Sequence, residues 1–302
     1  LRVNLTKHST YNVGVNLSTN KGLHYQTMED LLGASTYHNI NTYALGTYAS
    51  SSNEVQYDLN HPNQVISEGD KFGYSYNIFV NKANAWMGYT LDKGIFHSFI
   101  NAKIGGTNMQ REGKMRNGLA ANNSYGKSGT AHFLDGGAKI GTNINMGRGN
   151  TIVLGAGYEW IAPLASTAFA SPEINNDFVQ NLKCERVFTS EVGYQLETSW
   201  LHANINGFYS RTEDGTEWQN FYFDDINSFS YVSMNNIKKA YYGVEMGLNF
   251  KINSAFNIKA IGTWSDAKNM NNSKVRYMNS TKGTYTDDIC MNKGMHESGT
   301  PL

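Results

Sequence analysis

Residues 162–196 read APLASTAFASPEINNDFVQNLKCERVFTSEVGYQL, a polar segment that runs into a strand with two unlike faces. From Phe188 onward Phe188, Val192, Tyr194 and Leu196 fall on one side, while Thr189, Glu191, Gly193, Gln195 and Glu197 fall on the other. One face is built for an apolar surrounding and the other for water.

The same period of two extends outward from this strand in both directions. Upstream lie Ile152, Leu154, Ala156, Tyr158 and Trp160, then Leu134, Ala138, Ile140, Ile144 and Met146 set against Asp135, Lys139, Asn143 and Asn145. Before them come Phe96, Ile100, Ala102 and Ile104, and the amphipathic run Tyr11, Val13, Val15 and Leu17. Downstream the pattern returns in Leu201 to Tyr209, in Tyr242 to Ile252 and in Phe256 to Trp264. Counting by this template gives about ten strands. Between Phe72 and Leu91 the apolar residues change phase, from Tyr74, Tyr76 and Ile78 to Met87, Tyr89 and Leu91, which predicts a bulge near Lys82 to Asn84.

Connections alternate in length. Tight turns at Asp92-Lys93-Gly94, Gly147-Arg148-Gly149-Asn150, Thr198-Ser199 and Ser254-Ala255 take turns with long polar stretches at 21–70, 111–129, 162–185 and 212–239. A soluble sandwich spreads its loops over both ends, whereas an outer-membrane barrel has short turns at one end and long loops at the other. A short helix is expected around Met28 to Leu32 within the first long stretch.

Composition agrees. Aromatic residues make up 13%, there are 30 glycines and only 4 prolines, a balance that favours strands and turns. Lys and Arg total 25 against 25 Asp and Glu, so the net charge of +0 gives no attraction to nucleic acid. A mean hydropathy of -0.48 without any long apolar run excludes helical membrane spans, and a barrel that turns only alternate residues to lipid gives this same weak signal. Tyr158, Trp160 and Trp264 at the loop ends, with Tyr89, Phe96, Trp200 and Phe256 at the turn ends, are placed as interfacial girdles. Lys103, Lys139, Glu191, Glu245, Lys251 and Lys259 occupy the opposite face, which must therefore meet water. The expected fold is all-β, an antiparallel transmembrane β-barrel.

Ala162, Pro163, Phe169, Ser171, Pro172, Asn175, Asn176, Leu182, Glu185, Glu191, Gly193 and Tyr194, in this spacing, resemble the barrel of TonB-dependent outer-membrane receptors, especially those of gut Bacteroidetes. Ile161 departs from the Arg that the family usually carries before Ala-Pro. The resemblance implies a segment of a larger barrel, with residues 1–302 forming one β-barrel region. The signal peptide, the plug domain with its TonB box, and the C-terminal strands are expected outside this chain. It further implies an outer-membrane protein that meets membrane lipid and imports a scarce small ligand, such as an iron chelate, cobalamin or a glycan. Energy would come from the TonB complex through the plug, with transport and no chemistry, hence no cofactor. A closed ten-strand outer-membrane protein, acting as passive pore or surface protease, is the alternative that the residues themselves leave open.

Among candidate site residues, the loop 213–226, EDGTEWQNFYFDDI, is dense in aromatics and carboxylates, and Trp218, Phe221, Tyr222, Phe223 and Asp224 are its ligand-contacting candidates. Cys290, Met291, Met295 and His296 bring soft donors close in sequence, but their spacing fits no established metal site. His24, His38 and His61 are read as solvated. Asp287, Asp288 and His296 are the only grouping that a surface protease could use, and Glu191 with Glu245 lie in mid-strand, where a wet lumen gives no reason for catalysis. Cys184 and Cys290, both read as loop residues, are open to pairing or to remaining free thiols.

Overall fold

The computed structural model describes residues 2–226 and 228–297. Its strands are β1 (Arg2–Thr6), β2 (Ser9–Thr27), β3 (Tyr37–His38), β4 (Val65–Ile66), β5 (Lys71–Lys93), β6 (Phe96–Gly113), β7 (Gly126–Lys127) and β8 (Ala131–Gly147). They continue as β9 (Asn150–Ile161), β10 (Glu185–Glu197), β11 (Leu201–Phe223), β12 (Ser228–Lys251), β13 (Asn257–Asn269), β14 (Ser273–Asn279) and β15 (Thr284–Cys290). One short helix, α1 (Ala165–Ala168), opens the segment between β9 and β10. The main antiparallel sheet runs β1-β2-β5-β6-β8-β9-β10-β11-β12-β14-β15, with β7 beside β6 and β13 beside β12, and β3 and β4 pair separately. On the edge away from β11, β12 has two partners in turn: its base pairs with β13 from Lys239↔Asn269 to Lys251↔Asn257, and its tip pairs with β14 from Ser230↔Asn279 to Asn235↔Lys274.

Register carries the amphipathic pattern across the sheet. Directly opposed residues share a face, so the chain of pairs Thr142↔Leu154, Leu154↔Val192 and Val192↔Gly207 continues as Gly207↔Val244 and Val244↔Trp264 along one apolar surface. Val192 and Trp264 are each 63% exposed there. This exposed apolar surface is the outward side of the sheet, the kind that a transmembrane barrel turns to the membrane. The other side carries Glu191, Gly155, Lys139, Asn206 and Glu245, with Glu159 held by Lys103 at 2.8 Å and Lys139 at 3.2 Å. The expected division of β10 into two faces is what the structure has.

The phase change in β5 has a different origin from a bulge. Pairing of β5 is unbroken through 82–84 on both sides, and its register shift lies at the other end, where Tyr25 opposes Ser75 and Gln26 opposes Phe72. The apolar residues exchange faces because their surroundings do. Near the turn end Met87 and Tyr89 lie on the outward apolar face, while near the loop end Tyr76 and Ile78 face inward and are covered by protein. Residues 28–32 form no helix.

A larger correction concerns 213–226. The strands β11 and β12 continue as a paired ribbon from Glu217↔Met234 to Phe223↔Ser228, with bulges between Thr212 and Glu217. A strand needs about 9–11 residues to cross a bilayer. β11 and β12 have 23 and 24, so their tips stand well beyond the Tyr158, Trp160 and Trp264 girdle. Bulge residues interrupted the period of two and gave this region the look of a loop in sequence.

Candidate functional site

The chain between β9 and β10 turns inward. Ala162 and Pro163 are buried at its start, and α1 delivers Phe169, 1% exposed, onto Tyr76, Ile78 and Met109. Phe178 returns to stack on Phe169 at 4.6 Å, and a backbone bridge between the two closes the segment on itself. Burying an aromatic side chain of this size gives the segment its main apolar anchor.

A buried arginine supplies the polar anchor. Arg111, on the inward face of β6, donates from Nε to the Pro172 carbonyl at 2.8 Å and from Nη1 to the Ser124 carbonyl at 3.0 Å and to Asn176 Oδ1. Its guanidinium lies 4.8 Å from the Tyr76 ring centre. With Nε and both protons of Nη1 matched to carbonyl oxygens and the Tyr76 ring beside the guanidinium, much of the cost of burying the charge is offset. Asn176 N–H also donates to the Asn123 carbonyl at 2.8 Å, which joins the segment to the loop 114–130.

The opposite side of the segment is tied to the ribbon. Trp218 Nε1 donates to the Ala170 carbonyl at 2.8 Å, and the Tyr231 hydroxyl donates to Glu173 Oε2 at 2.6 Å. Tyr57, Tyr74 and Tyr76 are further phenols close to the same carboxylate. Burial raises the Glu173 carboxyl above its ordinary range, opposed by the Tyr231 hydrogen bond. On β15, Tyr285 Oη receives Asn175 Nδ2 at 2.8 Å and reaches Asp177 Oδ2 at 3.0 Å and Ser171 Oγ at 3.0 Å; burial pushes this phenol up to about 12.

The first long loop forms the outer layer. Its own small core of Ala44, Val55 and Ile66 is fully buried. It joins 114–130 through Gly118 N–H to the Gln56 carbonyl at 2.8 Å and Leu59 N–H to the Arg116 carbonyl at 2.7 Å, and joins the β14 to β15 turn through Asn41 Nδ2 to the Ser280 carbonyl at 3.2 Å. Three long connections and the ribbon thus interlock over the loop end of the sheet.

The structure divides the candidate residues into groups. Ala162, Pro163, Phe169, Ser171, Asn175 and Asn176 are buried and half-buried Pro172 accepts from Arg111, so these are the residues that seat the inward segment. Glu191 and Gly193 line the inward face of β10; a Cβ on Gly155 would lie 2.6 Å from Glu191 Oε1, so glycine there makes room for the carboxylate. Tyr194 is on the outward apolar side and donates to Asn150. Glu185 heads β10 near Lys239 and Glu217.

Trp218 stands apart from its aromatic neighbours, since it packs on Tyr231 at 5.9 Å beneath the ribbon. Tyr222 shares that side with Phe229, 5.3 Å away, whereas Phe221 and Phe223 project from the opposite side, exposed and 6.3 Å apart. Asp224 is exposed at the tip. Sequence reasoning passed over Arg111, Glu173, Tyr231 and Tyr285; they are single residues, each made important by a partner at least 58 positions away.

Other groupings are not assembled. His296 pairs with Asp266 at 2.6 Å and Asp287 with Arg276 at 2.6 Å, so Asp287, Asp288 and His296 form no joint site. Among the described residues no group of three His, Cys, Asp or Glu side chains could hold a metal. Cys184 and Cys290 are free thiols, and Cys290 ends β15, where it had been read as a loop residue. His24, His38 and His61 are exposed, as read from the sequence; His61 meets Asp58 at 2.9 Å and His24 stacks on Tyr76 at 4.8 Å.

No protein-family model and no curated protein matches this sequence. Solved structures do. The copper transporter OprC aligns over 90% of this chain and 39% of its own, at 11% identity and a TM-score of 0.59. The ferric-catecholate import receptor Fiu from E. coli K12 aligns over 92% of this chain and 40% of its own, at 14% identity and a TM-score of 0.52. The fold is therefore that of the TonB-dependent outer-membrane receptors, an antiparallel transmembrane β-barrel, and the chain spans about two fifths of the length of each neighbour.

Proposed function

We propose that this chain is barrel wall and ligand-capturing mouth of a TonB-dependent outer-membrane receptor, of the type found in Bacteroidetes, that takes up a scarce small ligand. Import of a metal chelate is the reading that the names of OprC and Fiu favour. The observation that carries a gated receptor over a passive pore is the inward segment 162–184, anchored on the β5, β6 and β8 face by Phe169 and Arg111, on the ribbon by Glu173 and on β15 by Tyr285. A pore needs that space open.

On this reading membrane lipid meets the apolar face, the exposed Phe221, Tyr222 and Phe223 with Asp224 meet ligand at the mouth, and the TonB complex acts through a plug domain outside this chain. Uptake by the full-length receptor should saturate and should stop when TonB is deleted. Linear, TonB-independent flux would refute the reading.

A further inference from the structure

The β11–β12 pair, the last residues of the inward segment and the start of β14 line a partly open polar cavity of about 330 Å³ at the loop end of β10, β11 and β12. That volume is at the lower end of the range for small-molecule sites. Its lining includes Lys183, Lys274, Asn181, Asp214, Thr216 and Asn236.

Two features single it out. Asn181, Asp214 and Asn236 each have a left-handed backbone, with φ of 54°, 57° and 57°. Among the described residues, three of the six non-glycine residues in that conformation thus converge on one cavity. Left-handed residues outside glycine are uncommon and gather at functional sites; Asn and Asp are the types that tolerate the conformation best.

Charge is the second feature. Asp214 is already neutralised by Arg186, with Nη2 at 2.6 Å and Nε at 2.8 Å. Lys183 and Lys274 are exposed and have no ion-pair partner among the described residues. The cavity lining therefore carries two lysines that stand outside any ion pair among the described residues, together with Asn181, Asn235, Asn236 and Thr216.

We propose that this cavity binds a small multiply charged anion, and that Lys183 and Lys274 select the ligand by its charge. The proposal rests on the receptor reading above and narrows its ligand to an anionic class. The aromatic ribbon tip would make first contact, and the cavity at the foot of the ribbon would hold the charged part. Ammonium groups at a partly open site act on charge more than on shape, so binding should weaken with salt.

Isothermal titration calorimetry on the purified full-length receptor in detergent tests this with iron(III) tris-catecholate, a trianion, and with maltotriose as a neutral probe. The wild type should bind the trianion and not the sugar. K183Q/K274Q should weaken trianion binding at least tenfold and flatten its salt dependence, whereas K183R/K274R should retain most of it. Unchanged binding in K183Q/K274Q, or preference for the neutral sugar, would overturn the proposal. TonB-dependent uptake of a neutral ligand by the same receptor would leave the receptor reading standing while removing the anion site.

Discussion

Tyr231 donates a 2.6 Å hydrogen bond to Glu173, and that contact joins the outermost ribbon of the protein to the segment folded into its interior. Ribbon and segment cannot separate without breaking it. Motion of the mouth on ligand capture would thereby reach the inward segment through this bond and the parallel ones from Trp218 and Tyr285.

Glu173 makes the contact pH-dependent. Its carboxyl is raised by burial, so the docked state binds the proton more tightly than the undocked state does. Stabilisation from this group is complete below the ordinary carboxylate value and is lost as pH rises through the raised one. Hydrogen exchange of residues 162–184, corrected for intrinsic rates, should show stronger protection at acid than at neutral pH. Glu173→Gln, which keeps the acceptor and removes the titration, should abolish the difference. Equal pH dependence in the variant would assign it to another group. Tyr231→Phe should loosen the segment by about 1–3 kcal/mol at all pH values, the cost of stranding a buried polar partner.

Phe169 tests the apolar half of the anchor. Phe169→Ala removes a fully buried ring from Tyr76, Ile78, Met109 and Phe178, at a cost of about 3–5 kcal/mol. That cost falls on docking of the segment and not on the strand ladder, which continues without it. The variant should keep heat-modifiable migration of the full-length barrel and gain protease cleavage within 162–184. In planar bilayers the full-length variant should pass more current than the wild type. Unchanged conductance would mean that the segment does not obstruct the lumen.

Much of this fold was legible because one face of each strand must differ from the other. β10, the alternation of short and long connections and the polar inward face all follow from period two and from the cost of burying charge. The exceptions share a physical cause. Tyr76 and Ile78 misled the period because the inward segment makes an apolar patch inside a polar lumen, and Glu213 to Gly215 hid the ribbon because bulges break alternation. The candidate site was legible only as a motif around Ser171 and Asn176. Its partners Arg111, Tyr231 and Tyr285 come from distant strands, and no local pattern marks a residue whose role is set by what folds against it.

Gly118 tests the interlock of the outer loops. A Cβ there would lie 1.8 Å from the Asn53 carbonyl oxygen, a backbone contact that cannot yield by a side-chain rotation. Gly118→Ala should therefore part the loop 28–70 from 114–130 and raise protease sensitivity in both. Gly46→Ala is the matched control, since nothing lies within 4 Å of its added carbon. Similar sensitivity in the two variants would show that the loops are held together elsewhere.

The orientation of the whole assembly is the last test, and the ribbon decides what its outcome means. Long loops and ribbon at one end, with the tight turn at Gly147 to Asn150 at the other, put Gln219 on the cell surface and Arg148 in the periplasm if the barrel follows outer-membrane rules. Cys184 and Cys290 are first replaced by serine, so that each introduced cysteine is the sole thiol. An impermeant maleimide should then label Q219C but not R148C in whole cells, and both after lysis. Gln219 is an informative position because its neighbours Trp218 and Asn220 point to the other side of the ribbon, so labelling reports exposure without disturbing the Trp218 contact to Ala170. Labelling of R148C alone in intact cells would invert the topology. It would place the aromatic ribbon and the lysine-lined cavity away from incoming ligand, and the receptor reading would fall with it.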